Sequence, residues 1–469
     1  MNTTTDSSHK DPHPATGQSK KSPIVALQRF FTVLMRSYLP DPFVLVIALT
    51  LLTAGLALGI EHASPVQIVR AWGDGFWALL AFTTQMAVIL ATGYVLARAP
   101  IVDRALDRLV SRIDRPQTAI ITATLVGALG SYVNWGFGLV IGGIIARKLA
   151  TEVRGVHFPL IIAAAYSGFT LYGLGLSASI PIAISTPDHP LSKQIGLVPL
   201  RETIFSIPMI LTALAVLIIL PVLNAALHPR GDAVIELDQS TPGEAEEPET
   251  VADDAEPTTF AERLNHSKFV SYSISALGFS YVAISFVDGR TLDINMVNFI
   301  VLFLGILLLR TPAAYVTTLT SGIRTVVGII LQFPFYAGIM AIMSGTGLVL
   351  TVSGWFTGIA DPQSLPFLGM LSSFVINFFA PSAGGHWVIQ GPFMIDAAHA
   401  LGSSIPQNAM AVQLGNAWND LIQPFWILPV LAISRLKLKD IMGYLVIMML
   451  VVGVIYSASV LLWGYLGAH

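Results

Sequence analysis

Asp420 is the residue whose chemical type and position point most clearly to a function. It lies near the middle of an apolar segment, residues 407–433, that contains no Lys or Arg. A charged side chain at the centre of a bilayer is costly, so an acid at that depth is by default a functional group. Asp420 could bind Na⁺, carry a proton or donate a hydrogen bond as a neutral acid. The structural alternative is a packing acid that neighbouring Asn or Trp side chains satisfy. We predict that Asp420 is the ion-coupling residue.

Two glycine-containing motifs place further polar side chains in apolar surroundings, "NWGFG" at residues 134–138 and "SAGGHWVIQG" at residues 382–391. Non-helical backbone is tolerated at membrane depth only where protein or a water-filled cavity covers it, so such motifs mark a buried site. Together with polar residues of the segments that follow each motif, the predicted substrate-binding residues are Asn134, Trp135, Gly136, Ser167, Ser177, Ser179, Ser382, Gly384, Gly385, His386, Gln390, Asn416 and Asn419.

These residues predict a site for a small monoanion. Where a membrane helix unwinds, half-helix N-termini attract an anion, and freed carbonyl groups attract a cation. No Lys or Arg lies in the core of the segments that carry the motifs, whereas dicarboxylates and tricarboxylates usually need fixed positive charge. His386 could shuttle protons, because histidine titrates near neutral pH, or could act only as a hydrogen-bonding group; both interpretations stay open.

The composition requires a membrane environment around these motifs. Hydrophobic residues make up 54% of the chain and charged residues only 11%, against about 25% charged in a soluble domain. Several apolar segments approach or exceed the roughly 20 residues that a helix needs to cross a bilayer. We therefore predict an all-α polytopic membrane protein with about nine full spans, near residues 43–60, 76–97, 158–184, 203–225, 267–287, 295–309, 324–346, 407–433 and 441–466.

Other protein classes lack the residues that they would need. The chain has no cysteine, which excludes disulfides, thiolate metal sites and cysteine nucleophiles. We find no nucleotide-binding loop, metal cluster or nucleophile motif in the sequence. We therefore expect no enzymatic activity, no cofactor beyond Na⁺ or H⁺ as a coupling ion, and no nucleic-acid partner.

Two apolar regions, residues 118–146 and 367–395, are too long for one span and too short for two. Basic residues flank the first region on both sides, and basic loops stay in the cytoplasm. Its chain must therefore enter the membrane, turn near residues 131–138 and return, as a re-entrant hairpin. An additional span at residues 267–287 inverts the second half, so 367–395 becomes a second hairpin with its turn at "SAGGHWVIQG".

The two halves also resemble each other at an offset of about 250 residues, and opposite topology makes them inverted repeats, as in many secondary transporters. "WGFGLVIGG" (135–143) resembles "GGHWVIQG" (384–391), and Tyr172 aligns with Asp420. The predicted organisation is a cytosolic tail with an interfacial helix (1–38), a first repeat (39–226, hairpin 118–146, broken span 158–184), an acidic disordered cytosolic linker (227–266), a connecting span (267–288) and a second repeat (289–469, hairpin 367–395, broken span 407–433).

Several longer motifs carry a resemblance to a known family. They include "NWGFGLVIGGIIAR" (134–147), "LSASIPIAISTPDHPL" (176–191), "APSAGGHWVIQGP" (380–392) and "QPFWILPVLAI" (423–433). The sequence resembles the short-chain fatty acid transporter family, bacterial carriers associated with acetoacetate and butyrate uptake, over most of the chain outside the tail and linker. More distantly, its paired hairpins and broken helices resemble the ion transporter superfamily, which includes elevator-type Na⁺ or H⁺ symporters of organic anions.

The resemblance implies a multi-pass secondary carrier of short-chain monocarboxylates in the cytoplasmic (inner) membrane, with its N-terminus in the cytoplasm and membrane lipid around it. Coupling to H⁺ or Na⁺, elevator-type alternating access and a homodimer are expectations by analogy. A symporter of another organic anion such as a dicarboxylate, an anion channel and a sensor with the linker as its output are the alternatives.

Overall fold

The computed structural model describes residue 40, residues 42–237 and residues 259–466. The predicted tail (1–38) and the central part of the predicted acidic linker lie outside the described residues. Within the described ranges the chain is helical and contains no β-strand, as the sequence predicts.

The described residues of the first half form ten α-helices. They are α1 (Pro42–Gly59), α2 (Pro65–Gly75), α3 (Leu80–Ala97), α4 (Pro100–Val110), α5 (Pro116–Val133), α6 (Trp135–Glu152), α7 (Phe158–Ser167), α8 (Ser179–Ile184), α9 (Ser192–Ile195) and α10 (Ile207–Ala226). A 3₁₀ segment, Gly168–Leu174, continues α7 directly.

The later part of the chain contains eleven described helices. They are α11 (Phe260–Asn265), α12 (Lys268–Val287), α13 (Ile294–Leu309), α14 (Pro312–Ile323), α15 (Val327–Thr346), α16 (Leu348–Thr357), α17 (Leu365–Ile376), α18 (Ala383–Leu401), α19 (Ile405–Asn419), α20 (Pro424–Ser434) and α21 (Leu438–Leu466).

Six consecutive helices of the first half correspond in order and position to six helices of the second. Helix α3 corresponds to α15, α4 to α16, α5 and α6 to α17 and α18, and the α7–α8 pair to the α19–α20 pair. The shared offset is 248 residues for Tyr172 and Asp420, whose side chains are hydrogen-bonded to each other. This correspondence supports the predicted duplication; the opposite membrane orientation of the two halves stays a prediction.

Both predicted hairpins are helix pairs with a short break. Asn134 alone separates α5 from α6, and its side chain caps α6 by accepting a hydrogen bond from the Phe137 amide at 2.9 Å. The two arms touch closely, because a Cβ added at Gly138 would lie 2.1 Å from the Ser131 nitrogen. In the second hairpin the break covers residues 377–382, between α17 and α18.

The second break corrects one detail of the sequence prediction. The sequence predicts that "SAGGHWVIQG" forms the turn, but α18 already begins at Ala383, so most of this motif is helical. The non-helical break comprises residues 377–382. His386 and Gln390 lie one turn apart on α18. Small residues at the start of α18 allow close packing rather than a reverse turn.

Both predicted broken spans are also present. The first passes from α7 through the 3₁₀ segment to α8, and the second is interrupted at residues 420–423 between α19 and α20. Proline occupies the first position of α20, where its missing N–H removes no helical hydrogen bond. Asp420 is the first residue of this break and occupies the C-cap position of α19.

Six helical segments within the described ranges are long and apolar enough to cross a membrane. The predicted total of nine spans is thus not confirmed: α1 and α13, at the predicted spans 43–60 and 295–309, are shorter apolar helices, and the predicted span 407–433 is divided between α19 and α20. Four helices of 10 to 12 residues, α2, α4, α14 and α16, were not predicted. They connect the longer helices within each half.

Candidate functional site

A small cavity lies where the N-termini of three half-helices meet. Trp135 is the first residue of α6, Ser382 and Ala383 begin α18, and Trp426 lies in the first turn of α20. The space that no atom fills there, including the open space at the cavity mouth, is about 310 Å³. Its lining consists of Met86, Trp135, Phe169, Tyr172, Ser179, Ile329, Ser382, Ala383 and Trp426.

Two residues that line this cavity carry unpaired hydrogen-bond donors. The indole N–H groups of Trp135 and Trp426 are buried and have no partner among the described residues. Ser382 does not cap α18 with its side chain, and no described atom accepts from the first backbone amides of that helix, at Ala383 and Gly384. Buried donors without acceptors are rare in native structures, so this cavity has the donors that an acceptor-only ligand would satisfy.

Aromatic rings form the wall beside these donors. Trp135 and Trp426 meet edge to face with their ring centroids 5.4 Å apart. Phe169 lies 5.9 Å from Trp426 and stacks on Tyr172 at 4.8 Å. The combination of clustered donors and an aromatic wall suits a ligand with a carboxylate at one end and an apolar body.

Tyr172 connects the cavity to Asp420. The Tyr172 hydroxyl contacts Asp420 Oδ2 at 2.8 Å and Asn416 Oδ1 at 2.5 Å. Asn377 donates from Nδ2 to Asp420 Oδ1 at 2.7 Å and to Asn419 Oδ1 at 3.0 Å. Asp420 is 1% exposed, and no ion pair of the described chain includes it.

This network has more acceptors than hydrogens. Asn377 Nδ2 also contacts the Asn416 carbonyl oxygen at 3.3 Å, so its two hydrogens face three acceptors. The one hydrogen of the Tyr172 hydroxyl faces two acceptors. A proton on Asp420 Oδ2 would be donated to the Tyr172 oxygen, which could then donate its own hydrogen to Asn416. The arrangement can therefore accept a proton without losing a hydrogen bond.

The predicted residues of the first half divide between lining and supporting positions. Trp135 and Ser179 line the cavity, whereas Ser177 Oγ accepts from the Trp135 amide at 2.8 Å and so holds the hairpin tip. Asn134 caps α6, and Gly136 packs on Leu90 of α3. Ser167 does not line the cavity. Its hydroxyl donates to the Ala164 carbonyl oxygen at 2.7 Å and accepts a hydrogen bond from Asn224 Nδ2 at 3.0 Å.

In the second hairpin only Ser382 lines the cavity among the predicted residues. Gly384 and Gly385 face α3 and α15: a Cβ at Gly385 would lie 2.3 Å from the Tyr336 ring. His386 Nε2 contacts Gln390 Oε1 closely. Gln390 donates from Nε2 to Gly369 O at 2.9 Å and to Ser372 Oγ at 2.8 Å, so its oxygen faces His386 and the His386 Nε2 atom carries the hydrogen.

Several residues of the site were not selected from the sequence. Asn377 and Gln423 support the Asp420 break, with Gln423 Nε2 donating to the Asn377 carbonyl at 3.0 Å. The sequence indicates Tyr172 only as the repeat counterpart of Asp420, and that correspondence is the one sequence signal for their contact. The remaining cavity residues that the sequence prediction missed are Met86, Phe169, Ile329, Ala383 and Trp426.

Paired hairpins, broken helices and a buried polar site between them define a polytopic membrane transporter. The chain belongs to the short-chain fatty acid transporter family, whose sequence profile, described as "Short chain fatty acid transporter", matches residues 24–463. The chain is 39% identical over 439 residues to an Escherichia coli (strain K12) protein named "Putative short-chain fatty acid transporter", covering 93% of this chain and 99% of the relative. A Haemophilus influenzae protein of the same name is 38% identical over 436 residues, covering 90% and 96%.

A solved transporter has a similar fold. The crystal structure of the Alcanivorax borkumensis YdaH transporter, described as having an unusual topology, superimposes with a TM-score of 0.54. The match covers 92% of this chain and 99% of the other, at 14% sequence identity. At that identity the similarity supports the fold and not the substrate. Fold and family together confirm the predicted resemblance and the all-helical membrane architecture.

Proposed function

We propose that this short-chain fatty acid transporter is a secondary active carrier that takes up monocarboxylates such as butyrate and acetoacetate together with a proton. The observation that carries the substrate proposal is the group of unpaired donors around the cavity, with no acceptor to occupy them among the described residues. An ionised carboxylate is an acceptor-only group and matches these donors. Three helix N-termini at the same place favour negative charge.

A substrate with a single carboxylate does not need a positively charged side chain in its binding site. No Lys, Arg or His lines the cavity, and a dicarboxylate there would leave its second charge without a partner, which is strongly unfavourable in a buried site. The aromatic wall provides apolar contact for a short acyl chain. These features favour a short monocarboxylate over the dicarboxylate alternative.

The hydrogen-bond network around Asp420, which has more acceptors than hydrogens, favours H⁺ over Na⁺ as the coupling ion. A Na⁺ ion that binds the side-chain oxygen atoms of Asp420, Asn416 and Asn419 would have to displace the Tyr172 hydroxyl or the Asn377 amide, which lie 2.5 to 3.0 Å from them. A proton, in contrast, fits this network without displacing a donor. Tyr172 contributes to both the cavity wall and the network, so occupation of one site affects the other through a single side chain.

We further propose alternating access in which the two hairpins and the two broken spans move together against a scaffold of the remaining helices. The contact between these bodies includes Gly384, where a Cβ would lie 3.1 Å from Phe82 and 3.3 Å from Met86 Sδ. A surface of small residues allows such close sliding contact. Insertion in the inner membrane with a cytoplasmic N-terminus, surrounding lipid and a homodimer through the scaffold complete the proposal.

The test is uptake of labelled butyrate and acetoacetate into proteoliposomes under separately imposed proton and sodium gradients. The proposal predicts that an alkaline interior drives accumulation, with or without Na⁺, faster than in protein-free liposomes, which the neutral acid also enters, and that other short monocarboxylates compete with this additional uptake. Accumulation driven only by a Na⁺ gradient would show that the coupling ion is Na⁺ and not H⁺. Equilibration without accumulation under either gradient would instead indicate a channel and contradict the carrier proposal.

A further inference from the structure

We propose that Met86 and Ile329 set the length of the acyl chain that this carrier accepts. The inference rests on the proposed function, because it assigns the apolar end of the same substrate. Met86 belongs to α3 and Ile329 to α15, and both side chains line the cavity. They are almost fully buried, with exposed fractions of 2% and 6%.

Hydrogen-bond donors and apolar side chains lie on different sides of the cavity, and this separation orients the substrate. Donors belong to the hairpins and broken spans, at the tryptophan side chains and at the start of α18. Phe169 belongs to the same side, since it stacks on Tyr172. Met86 and Ile329 are the lining residues that come from α3 and α15, and neither offers a hydrogen bond that a carboxylate could use. A carboxylate held by the donors therefore directs its alkyl end towards these two side chains.

Packing contacts limit the space beside this apolar end. The rings of Phe82 on α3 and Phe333 on α15 lie 5.9 Å apart, so the two helices pack together one turn away from the lining residues. At Gly384 of α18, an added Cβ would touch both Phe82 and Met86. Because Phe82 and Phe333 occupy the space one turn away, a longer acyl chain that points towards α3 and α15 would meet the side chains of Met86 and Ile329.

The expected size of the effect follows from the carbon atoms removed or added. Ile329→Ala removes three carbons from the closed end, space for at least one additional methylene group of a substrate. One methylene in a hydrophobic pocket changes specificity by roughly 10- to 200-fold. We expect the ratio of hexanoate to butyrate uptake to rise about tenfold. Ile329→Phe adds volume and should shift the preference towards acetate by a similar factor.

The experiment measures initial uptake of labelled acetate, butyrate, hexanoate and octanoate by wild-type protein and by the variants Ile329→Ala, Ile329→Phe and Met86→Ala. The neighbouring Ile330 is 54% exposed and does not line the cavity, so Ile330→Ala is the matched control and should retain the wild-type profile. Size-exclusion chromatography selects the variants that fold, and the enlarging and filling substitutions at Ile329 test the same claim in opposite directions.

Opposite shifts in chain-length preference for Ile329→Ala and Ile329→Phe support the inference. It is overturned if wild-type protein accumulates butyrate while the folded variants keep its chain-length profile, or if Ile330→Ala changes the profile equally. Absence of carboxylate accumulation by the wild-type protein contradicts the proposed function itself. The two failures are therefore distinguishable in one set of measurements.

Discussion

Replacement of Tyr172 by Phe tests the link between the cavity and the acidic residue of the site. The substitution removes one oxygen and leaves the ring, which stacks on Phe169 at 4.8 Å. It takes away the hydroxyl that contacts Asp420 Oδ2 at 2.8 Å and Asn416 Oδ1 at 2.5 Å. The aromatic wall of the cavity is retained, so substrate contact and hydrogen bonding are separated.

The magnitude follows from the number of acceptors that lose a hydrogen. The Tyr172 hydroxyl has one hydrogen for two acceptors, so one buried acceptor becomes unpaired. An unpaired buried group costs about 1–3 kcal/mol, and such a free energy corresponds to a factor of roughly 5 to 150 in a population. We expect the initial rate of proton-driven butyrate uptake to fall by at least about fivefold.

Tyr456→Phe is the matched control. The Tyr456 side chain is fully buried, and its hydroxyl donates to the Thr170 carbonyl at 2.9 Å and contacts Thr170 Oγ1 at 3.1 Å. It also loses a buried hydrogen bond on mutation, but it neither lines the cavity nor bonds to Asp420. Both variants are compared in proteoliposomes with an alkaline interior, at equal reconstituted amounts. An equal loss in the two variants, or none for Tyr172→Phe, would refute the proposed link.

Three further changes test separate parts of the structure. Trp426→Phe removes an unpaired indole donor but keeps an aromatic wall, so the KM for butyrate should rise about tenfold with little change in maximal rate; an unchanged KM contradicts the donor assignment. Gly93→Ala places a Cβ 2.1 Å from Asn134 Oδ1, so it should lower the melting temperature of the purified protein; unaltered melting contradicts this packing. Burial lowers the pKa of His157, whose neutral Nδ1 accepts from the Ile235 amide at 2.9 Å. This contact is stable above the ordinary histidine pKa and is lost as pH falls, so hydrogen exchange at Ile235, corrected for its intrinsic rate, should increase on acidification; pH-independent protection contradicts the assignment.

The sequence predicted those features that depend on local chemistry. The motif "NWGFG" (134–138) predicts the turn of the first hairpin, and Asn134 lies in the break between its two arms. The isolated carboxylate of Asp420 and the glycine-punctuated segments marked the breaks. The residue type and its immediate neighbours carried these predictions, which needed no knowledge of distant contacts.

The contacts of Asn377 depend on tertiary structure and could not be predicted in the same way. It lies in the mostly apolar stretch "VINFFAP", residues 375–381, and its partners Asn416, Asn419 and Asp420 follow 39 to 43 residues later. Packing of α17 against α19 brings them together. Tyr172 illustrates the intermediate case, because the repeat paired it with Asp420 by position while only the fold brought their side chains into contact.

The short helices were missed for a geometric reason. Helix α4 has 11 residues, with Asp103 in its first turn and Arg108 in its last. A helix of that length rises only about 17 Å at 1.5 Å per residue, too little to cross a hydrocarbon core of about 30 Å. A search for long apolar spans therefore passes over it, although Lys148 of the first hairpin forms an ion pair with Asp103 at 2.9 Å.

The most direct test of proton coupling compares net accumulation and exchange in Asp420→Asn. The account predicts that this variant exchanges internal for external butyrate but no longer accumulates butyrate when the liposome interior is alkaline, because its amide cannot take up and release the coupling proton. Asp396→Asn, which removes a partly buried carboxylate elsewhere on α18, should accumulate butyrate as the wild type does. Proton-driven accumulation of butyrate by Asp420→Asn at the wild-type level would contradict the account.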